Sequence, residues 1–115
     1  MEKRIIKFRI WLEKSKRMLY DSGLAFRGCN ILQEKGTKVM QFTGLKDKNR
    51  KEVYEGDIVK SFNQMEKKEV IFVVEFDSGI FECSNDEELV NLRDLCLWNN
   101  CEIIGNKYEN KELLK

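Results

Sequence analysis

The sequence contains no histidine among its 115 residues. Histidine is the commonest general base near neutral pH and the commonest protein ligand of transition metals. Its absence excludes Ser-His-Asp and Cys-His catalytic mechanisms within this chain. The cysteines Cys29, Cys83, Cys96 and Cys101 match neither a CxxC redox pair nor the spacing of a zinc site. We therefore expect free thiols, no metal site, no cofactor and no enzymatic activity.

Long apolar runs are also missing from the chain. A transmembrane helix needs about 20 consecutive apolar residues, and no stretch approaches that length. The first residues lead into an alternating polar and apolar pattern without the apolar block of a signal peptide. We expect a protein that remains in the cytoplasm of a bacterial host cell and does not bind a membrane.

Charge is balanced overall but unevenly distributed. Hydrophobic residues make up 42% and charged residues 36% of the chain, which is typical of a folded protein, and the length favours a single domain spanning residues 1–115. Residues 1–60 hold 15 Lys or Arg against 8 Asp or Glu, whereas residues 61–115 hold 6 against 12. Such a chain could bind phosphates with its basic half, pair one subunit's basic surface with its neighbour's acidic one, or neutralise itself within one fold.

Alternation of apolar residues predicts a mainly β fold. Strands are predicted at 4–11, 18–20, 24–26, 39–42 and 102–105, with a loop or irregular strands over 27–38. Residues 70–76 carry apolar side chains at both odd and even positions, which favours a strand that is covered on both faces. This strand is predicted to form a hairpin that ends at Cys83. The acidic trio Asp86, Glu87 and Glu88 follows a capping residue, Ser84 or Asn85, and predicts one main helix over 86–97.

A longer motif gives the sequence a recognisable family character. The segment MQFTGLKDKNRKEVYEGDIV, residues 40–59, resembles the central signature of the YopX family. Residues 6–11 resemble the family's first strand, residues 74–79 its later hairpin and residues 101–110 its closing motif. Arg50 stands where the family commonly has a glycine, and Lys111 where it has a proline. The resemblance implies coiled, bent antiparallel β-sheets or a partly open barrel, with one short helix near the C-terminal third. It also implies an origin in phage genomes or prophage regions, no established enzymatic activity, and self-association to a homo-oligomer.

Within the signature, we interpret Gly44, Tyr54, Gly56 and Asp57 as structural residues. Glycine at position 56 admits a backbone angle that other residues resist, and the carboxylate that follows it can accept hydrogen bonds from nearby backbone amides. The polar run 46–49 suits a solvated turn.

Two hypotheses for function follow. The first is a non-enzymatic interaction protein that binds a host or phage protein. The alternative is a nucleic-acid-binding module in which Trp11 or Tyr20 is exposed for base stacking and in which the N-terminal strands supply the contacts. The candidate contact residues are Lys7, Arg9, Trp11, Lys16 and Arg17. The same two aromatic residues could instead belong to the core.

Overall fold

The computed structural model describes residues 5–20 and 36–114. This part of the chain is mostly β, with one short α-helix and one 3-10 helix. The elements in chain order are β1 (Phe8–Leu12), β2 (Arg17–Tyr20), β3 (Thr37–Lys46), β4 (Glu52–Tyr54), β5 (Asp57–Asn63), β6 (Lys68–Asp77), β7 (Ile80–Ser84), β8 (Leu89–Asn91), α1 (Leu92–Leu97), β9 (Glu102–Asn106) and the 3-10 helix Lys111–Leu114.

The strands form two antiparallel sheets. The first has the order β2-β1-β3-β4 and curls into a half-barrel, and the second has the order β8-β7-β6-β5-β9. The predicted coiled, bent, mainly β fold is therefore confirmed.

The hydrophobic core lies on one face of the second sheet. Along β6, Phe72 and Val74 point into this core, and they are paired with Val59 on β5 and Cys83 on β7. Alternate residues of a strand point to opposite faces, so the side chain of Ile71 lies on the other face, where it is 36% exposed. The prediction that this strand is covered on both faces is therefore wrong at Ile71.

The predicted hairpin ending at Cys83 is confirmed as β6 and β7. Its turn places Ser78 at a φ of 53° and Gly79 at 87°. Left-handed angles at both central residues are typical of the two-residue turns that match the twist of paired strands. The strands predicted at 18–20, 39–42 and 102–105 correspond to β2, part of β3 and β9.

The helix begins later than the sequence indicates. It was predicted over 86–97, but α1 spans Leu92–Leu97 and its N-cap is Asn91, which accepts a hydrogen bond from the backbone N–H of Arg93. Val90 pairs with Cys83, so the residues just before α1 form an edge strand. The acidic trio belongs to the preceding turn, because strand pairing with β7 competes with helix formation for this segment.

The predicted strand at 24–26, Cys29 and most of the predicted loop 27–38 lie outside the described residues. The end of that predicted loop is strand in the structure, because β3 begins at Thr37.

Candidate interaction surfaces

A buried ion pair joins β1 to the signature segment. Arg9 Nη2 lies 2.8 Å from Asp57 Oδ1, and each side chain is less than 5% exposed. The other carboxylate oxygen of Asp57 accepts the Tyr54 N–H at 2.8 Å, while Arg9 also donates to the Glu55 carbonyl at 3.1 Å. Burial raises the pKa of the Asp57 carboxyl, although the neighbouring guanidinium and the amide of Tyr54 oppose that shift. These contacts place Asp57 in the interior of the fold.

Gly56 occupies the turn between β4 and β5 with a φ of 87°. Its N–H donates to the Val74 carbonyl at 2.7 Å and its carbonyl accepts from Lys107 at 2.9 Å. A Cβ added here would lie 2.8 Å from Met40 Sδ. The position therefore requires glycine for two reasons, its backbone angle and its lack of space.

The five candidate nucleic-acid contacts do not form one surface. Arg9 is buried in its pair with Asp57, and Trp11 is 2% exposed, stacks on Tyr108 and donates its indole N–H to Glu13. The expectation of an exposed Trp11 is wrong, and the alternative of a core residue holds.

The remaining three candidates lie nearer the surface, with different surroundings. Lys7 forms an ion pair with Glu52, and Lys16 forms one with Glu13. Arg17 is exposed at the start of β2. Tyr20, at the other end of β2, is 55% exposed and contacts Tyr54 edge to face.

A different part of the chain presents a dense group of cations. We call it the cationic turn, and it consists of the exposed residues Lys46, Lys48, Arg50 and Lys51. Its centre is Asp47, which is only 6% exposed and not solvated as the sequence suggested. Asp47 Oδ1 accepts the N–H groups of Asn49 and Lys51 at 2.9 Å, and Oδ2 accepts that of Ile103 at 3.0 Å. One buried carboxylate thus orders the turn and ties it to β9.

Arg50 adopts a φ of 67° within the cationic turn. A left-handed angle costs a non-glycine residue about 1–2 kcal/mol, so glycine, which the family resemblance implies at this position, would adopt it without that cost.

Charged side chains run across the outer face of the second sheet from the cationic turn. Lys48 Nζ lies 4.0 Å from Glu102 on β9, which lies 3.4 Å from Lys60 on β5. Lys60 in turn lies 3.7 Å from Glu69 on β6. Directly opposed residues share a face, and Lys60 is opposed to both Glu102 and Ile71. The cationic turn and the outer surface of β6 therefore border one continuous face.

At the β6 side of this face lies a groove of about 840 Å³, which we call the acidic groove. Its apolar lining consists of Val70, Ile71, Val73, Leu113 and Leu114. Its carboxylates are Glu66, Glu69, Glu75, Asp86, Glu87 and Glu88, against the single cation Lys68.

Hydrogen bonds order the acidic side of the groove. Asn85 Oδ1 accepts the backbone N–H groups of Glu87 and Glu88 at 2.8 Å, and its Nδ2 donates to the Ile71 carbonyl at 3.1 Å. The pKa of Lys68 is raised, first by its hydrogen bond to Glu66 and then by the nearby charges of Glu66, Glu87 and Glu88. The groove is therefore a region of negative potential that also presents apolar side chains.

Three thiols lie in or beside the core. Cys83, Cys96 and Cys101 are free, and burial raises the pKa of the Cys83 thiol to about 12. The hydrogen bond between Cys96 and Cys101 lowers the pKa of the former and raises that of the latter. Buried thiols with raised pKa values are poor nucleophiles.

Residues 5–20 and 36–114 contain neither a metal-binding cluster nor a membrane-spanning helix. No group of three or more Cys, Asp or Glu side chains in these ranges is arranged to hold a metal ion. No helix in the same ranges has the length and apolar character needed to cross a membrane.

Comparison with known proteins gives the chain its family. The family model described as YopX protein matches residues 28–115, which include the cationic turn, Gly56, Asp57 and the acidic groove. The chain belongs to the YopX family. No curated protein matches it.

A solved structure supports the fold of this YopX-family chain. The crystal structure of protein EF1440 from Enterococcus faecalis is similar, with a TM-score of 0.70 and 24% sequence identity. The alignment covers 98% of this chain and 100% of EF1440. At this level of identity the likeness establishes a shared fold.

Neither the cationic turn nor the acidic groove was predicted from the sequence. The signal for the acidic groove was present in β6, where Glu69 and Glu75 flank the outward-facing Ile71 and Val73 at a spacing of two residues. This alternation places carboxylates and apolar side chains on the same face. The signal for the cationic turn was the density of Lys and Arg between β3 and β4.

Proposed function

We propose that this YopX-family chain is a non-enzymatic protein-interaction module of phage or prophage origin that acts in the cytoplasm of a bacterial cell. The observation that carries the proposal is the acidic groove. Its lining contains Ile71, 36% exposed, and Leu114, 45% exposed, together with six carboxylates. A partner that covers partly exposed apolar side chains removes them from water, which favours binding, and the surrounding carboxylates favour a cationic partner.

The sequence supports the non-enzymatic part of the proposal. It contains no histidine, and its buried aspartates serve the fold: Asp57 pairs with Arg9, and Asp47 accepts three backbone N–H groups. These contacts give Asp47 and Asp57 roles in the fold, which supports a non-enzymatic protein.

Binding of a cationic amphipathic peptide tests the proposed function. The probe is a fluorescein-labelled peptide of alternating Lys and Leu, titrated by fluorescence anisotropy against the protein. We expect the variant Glu75→Lys with Glu87→Lys to bind the probe about tenfold or more weakly, because both groove carboxylates are reversed. The control variant, Asp77→Lys with Asp94→Lys, makes the same charge change outside the groove lining and should bind as the parent does. Equal loss of binding in both variants would contradict a site in the groove.

The cationic turn favours a second candidate, nucleic-acid binding. Its four exposed cations lie within six residues on a turn that Asp47 holds in place. Binding of single-stranded and duplex DNA should then weaken steeply as salt is raised, because bound phosphates release counterions. The result expected under the interaction proposal is weak binding that the reversal of Lys46 and Lys51 to Glu does not alter. A steep salt dependence that this reversal removes would favour the nucleic-acid function.

A further inference from the structure

We propose that the occupant of the acidic groove is the cationic turn of a second copy of this chain, in a two-fold dimer that joins the outer faces of two second sheets. This inference rests on the proposed function, since it names the partner of the same groove.

Charge complementarity within a single chain supports a second copy as the partner. The groove is lined by six carboxylates and one cation, whereas the cationic turn exposes four cations around an aspartate that is buried and engaged in hydrogen bonds. The chain as a whole has a net charge of +1, so the cationic turns and acidic grooves of two copies can neutralise each other without a strongly charged partner. Opposite charges on facing surfaces select both the partner and its orientation.

The position of the two surfaces indicates a closed dimer. The ion pairs of Glu102 with Lys48 and Lys60, and of Lys60 with Glu69, connect the turn to the groove across β9, β5 and β6. Adjacent strands are separated by about 4.8 Å, so β9 and β6 lie about 10 Å apart on this face. A two-fold axis between the two ends places each cationic turn on the opposing groove, and the contact occurs twice. Such an isologous interface closes at two subunits.

The chemistry of the two surfaces also matches. Lysine side chains cover apolar surface with their methylene stems while their ammonium groups remain near water or carboxylates. Lys46 and Lys51 of one copy can therefore cover Ile71 and Leu114 of the other and pair with the carboxylates of its groove. Both surfaces are already ordered, by Asp47 in the turn and by Asn85 beside the groove, which lowers the entropy lost on association.

Charge reversal and its rescue test the dimer. Molar mass is measured by sedimentation velocity at low ionic strength for the parent, for Lys46→Glu with Lys51→Glu, and for Glu75→Lys with Glu87→Lys. We expect the parent to sediment as a dimer that dissociates as salt rises, and each reversed variant to be a monomer, with its dimer dissociation constant raised about tenfold or more. A 1:1 mixture of the two variants should recover a dimer, because one contact is native and the other has both charges exchanged.

A matched control separates this interface from a general charge effect. Lys14→Glu with Arg17→Glu makes the same change in net charge on the exposed turn and strand β2 of the first sheet. This variant should remain a dimer. A monomeric parent, a mixture that stays monomeric, or assemblies larger than two chains would each overturn the two-fold dimer. If the parent is monomeric but the Lys and Leu peptide still binds the groove, the proposed function stands with another partner.

Discussion

Alanine at position 56 should destabilise the fold more than alanine at position 44. Both glycines have left-handed φ angles, 87° and 84°, so alanine at either position pays a backbone cost of about 1–2 kcal/mol. At position 44 the added Cβ meets nothing within 4 Å, whereas at position 56 it lies 2.8 Å from Met40 Sδ. Met40 is buried, and carbon and sulfur prefer a separation of about 3.5 Å or more, so overpacking adds about 1–3 kcal/mol at position 56.

Urea denaturation followed by circular dichroism measures this difference. With an m-value of about 2 kcal/mol/M, Gly44→Ala should lower the midpoint by about 0.5–1 M and Gly56→Ala by about 1–2.5 M. The larger β-branched side chain of Gly56→Val should destabilise the protein further. Equal midpoints for the two alanine variants, within about 0.2 M, would refute the steric argument and the interpretation of residue 56 as a structural element of the signature.

Three other results are expected. Asp57→Asn should lower the free energy of unfolding by about 3–5 kcal/mol in chemical denaturation, because it leaves the charge of Arg9 buried without its partner; a loss below about 1 kcal/mol would count against the buried pair. The free energy of unfolding should fall by about 1.4 kcal/mol between about pH 7 and pH 10 because of Cys83 alone, since the pKa of its thiol is about 12 in the folded state and about 9 in the unfolded state. Cys83→Ala should reduce this pH dependence, measured by chemical denaturation at each pH. In the dilute monomer, Lys46→Ala should change the free energy of unfolding by less than about 0.5 kcal/mol, whereas Asp47→Ala should lower it by more than about 2 kcal/mol because three backbone N–H groups lose their acceptor. Similar melting temperatures for the two variants would contradict the central role of the Asp47 carboxylate.

Local sequence signals predicted the elements that local interactions determine. The β6–β7 hairpin follows from alternation on both sides of an Asp-Ser-Gly turn, whose conformation is specified within a few residues. The helix start was wrong because Asn85 and the acidic trio have the composition of a helix N-terminus, but Asn85 closes a turn there instead. Pairing of Val90 with Cys83 then fixes an edge strand, and that contact is not local.

The surfaces depend on contacts that one sequence does not reveal. Arg9 appeared to be an available cation, but its partner Asp57 is 48 positions away in the sequence, and burial removes both from the surface. Asp47 appeared solvated because it lies in a polar run, yet it is bonded to Ile103 on β9. Which charges remain exposed is a property of the tertiary structure: Arg9 is buried, whereas Lys46, Lys48, Arg50 and Lys51 are exposed on the cationic turn.

Cross-linking between isotopically labelled copies tests whether the cationic turn of one copy contacts the acidic groove of another. Equal amounts of nitrogen-14 and nitrogen-15 protein are mixed at low ionic strength and treated with a carbodiimide, which joins an amine to a carboxylate in direct contact. Mass spectrometry then distinguishes links between copies from links within one copy. The two-fold dimer predicts links between copies that join Lys46, Lys48 or Lys51 to carboxylates of the acidic groove, Glu75 and Glu87 among them. Links between copies that join other surfaces, or none at all under conditions that cross-link Lys60 to Glu69 within one copy, would contradict it.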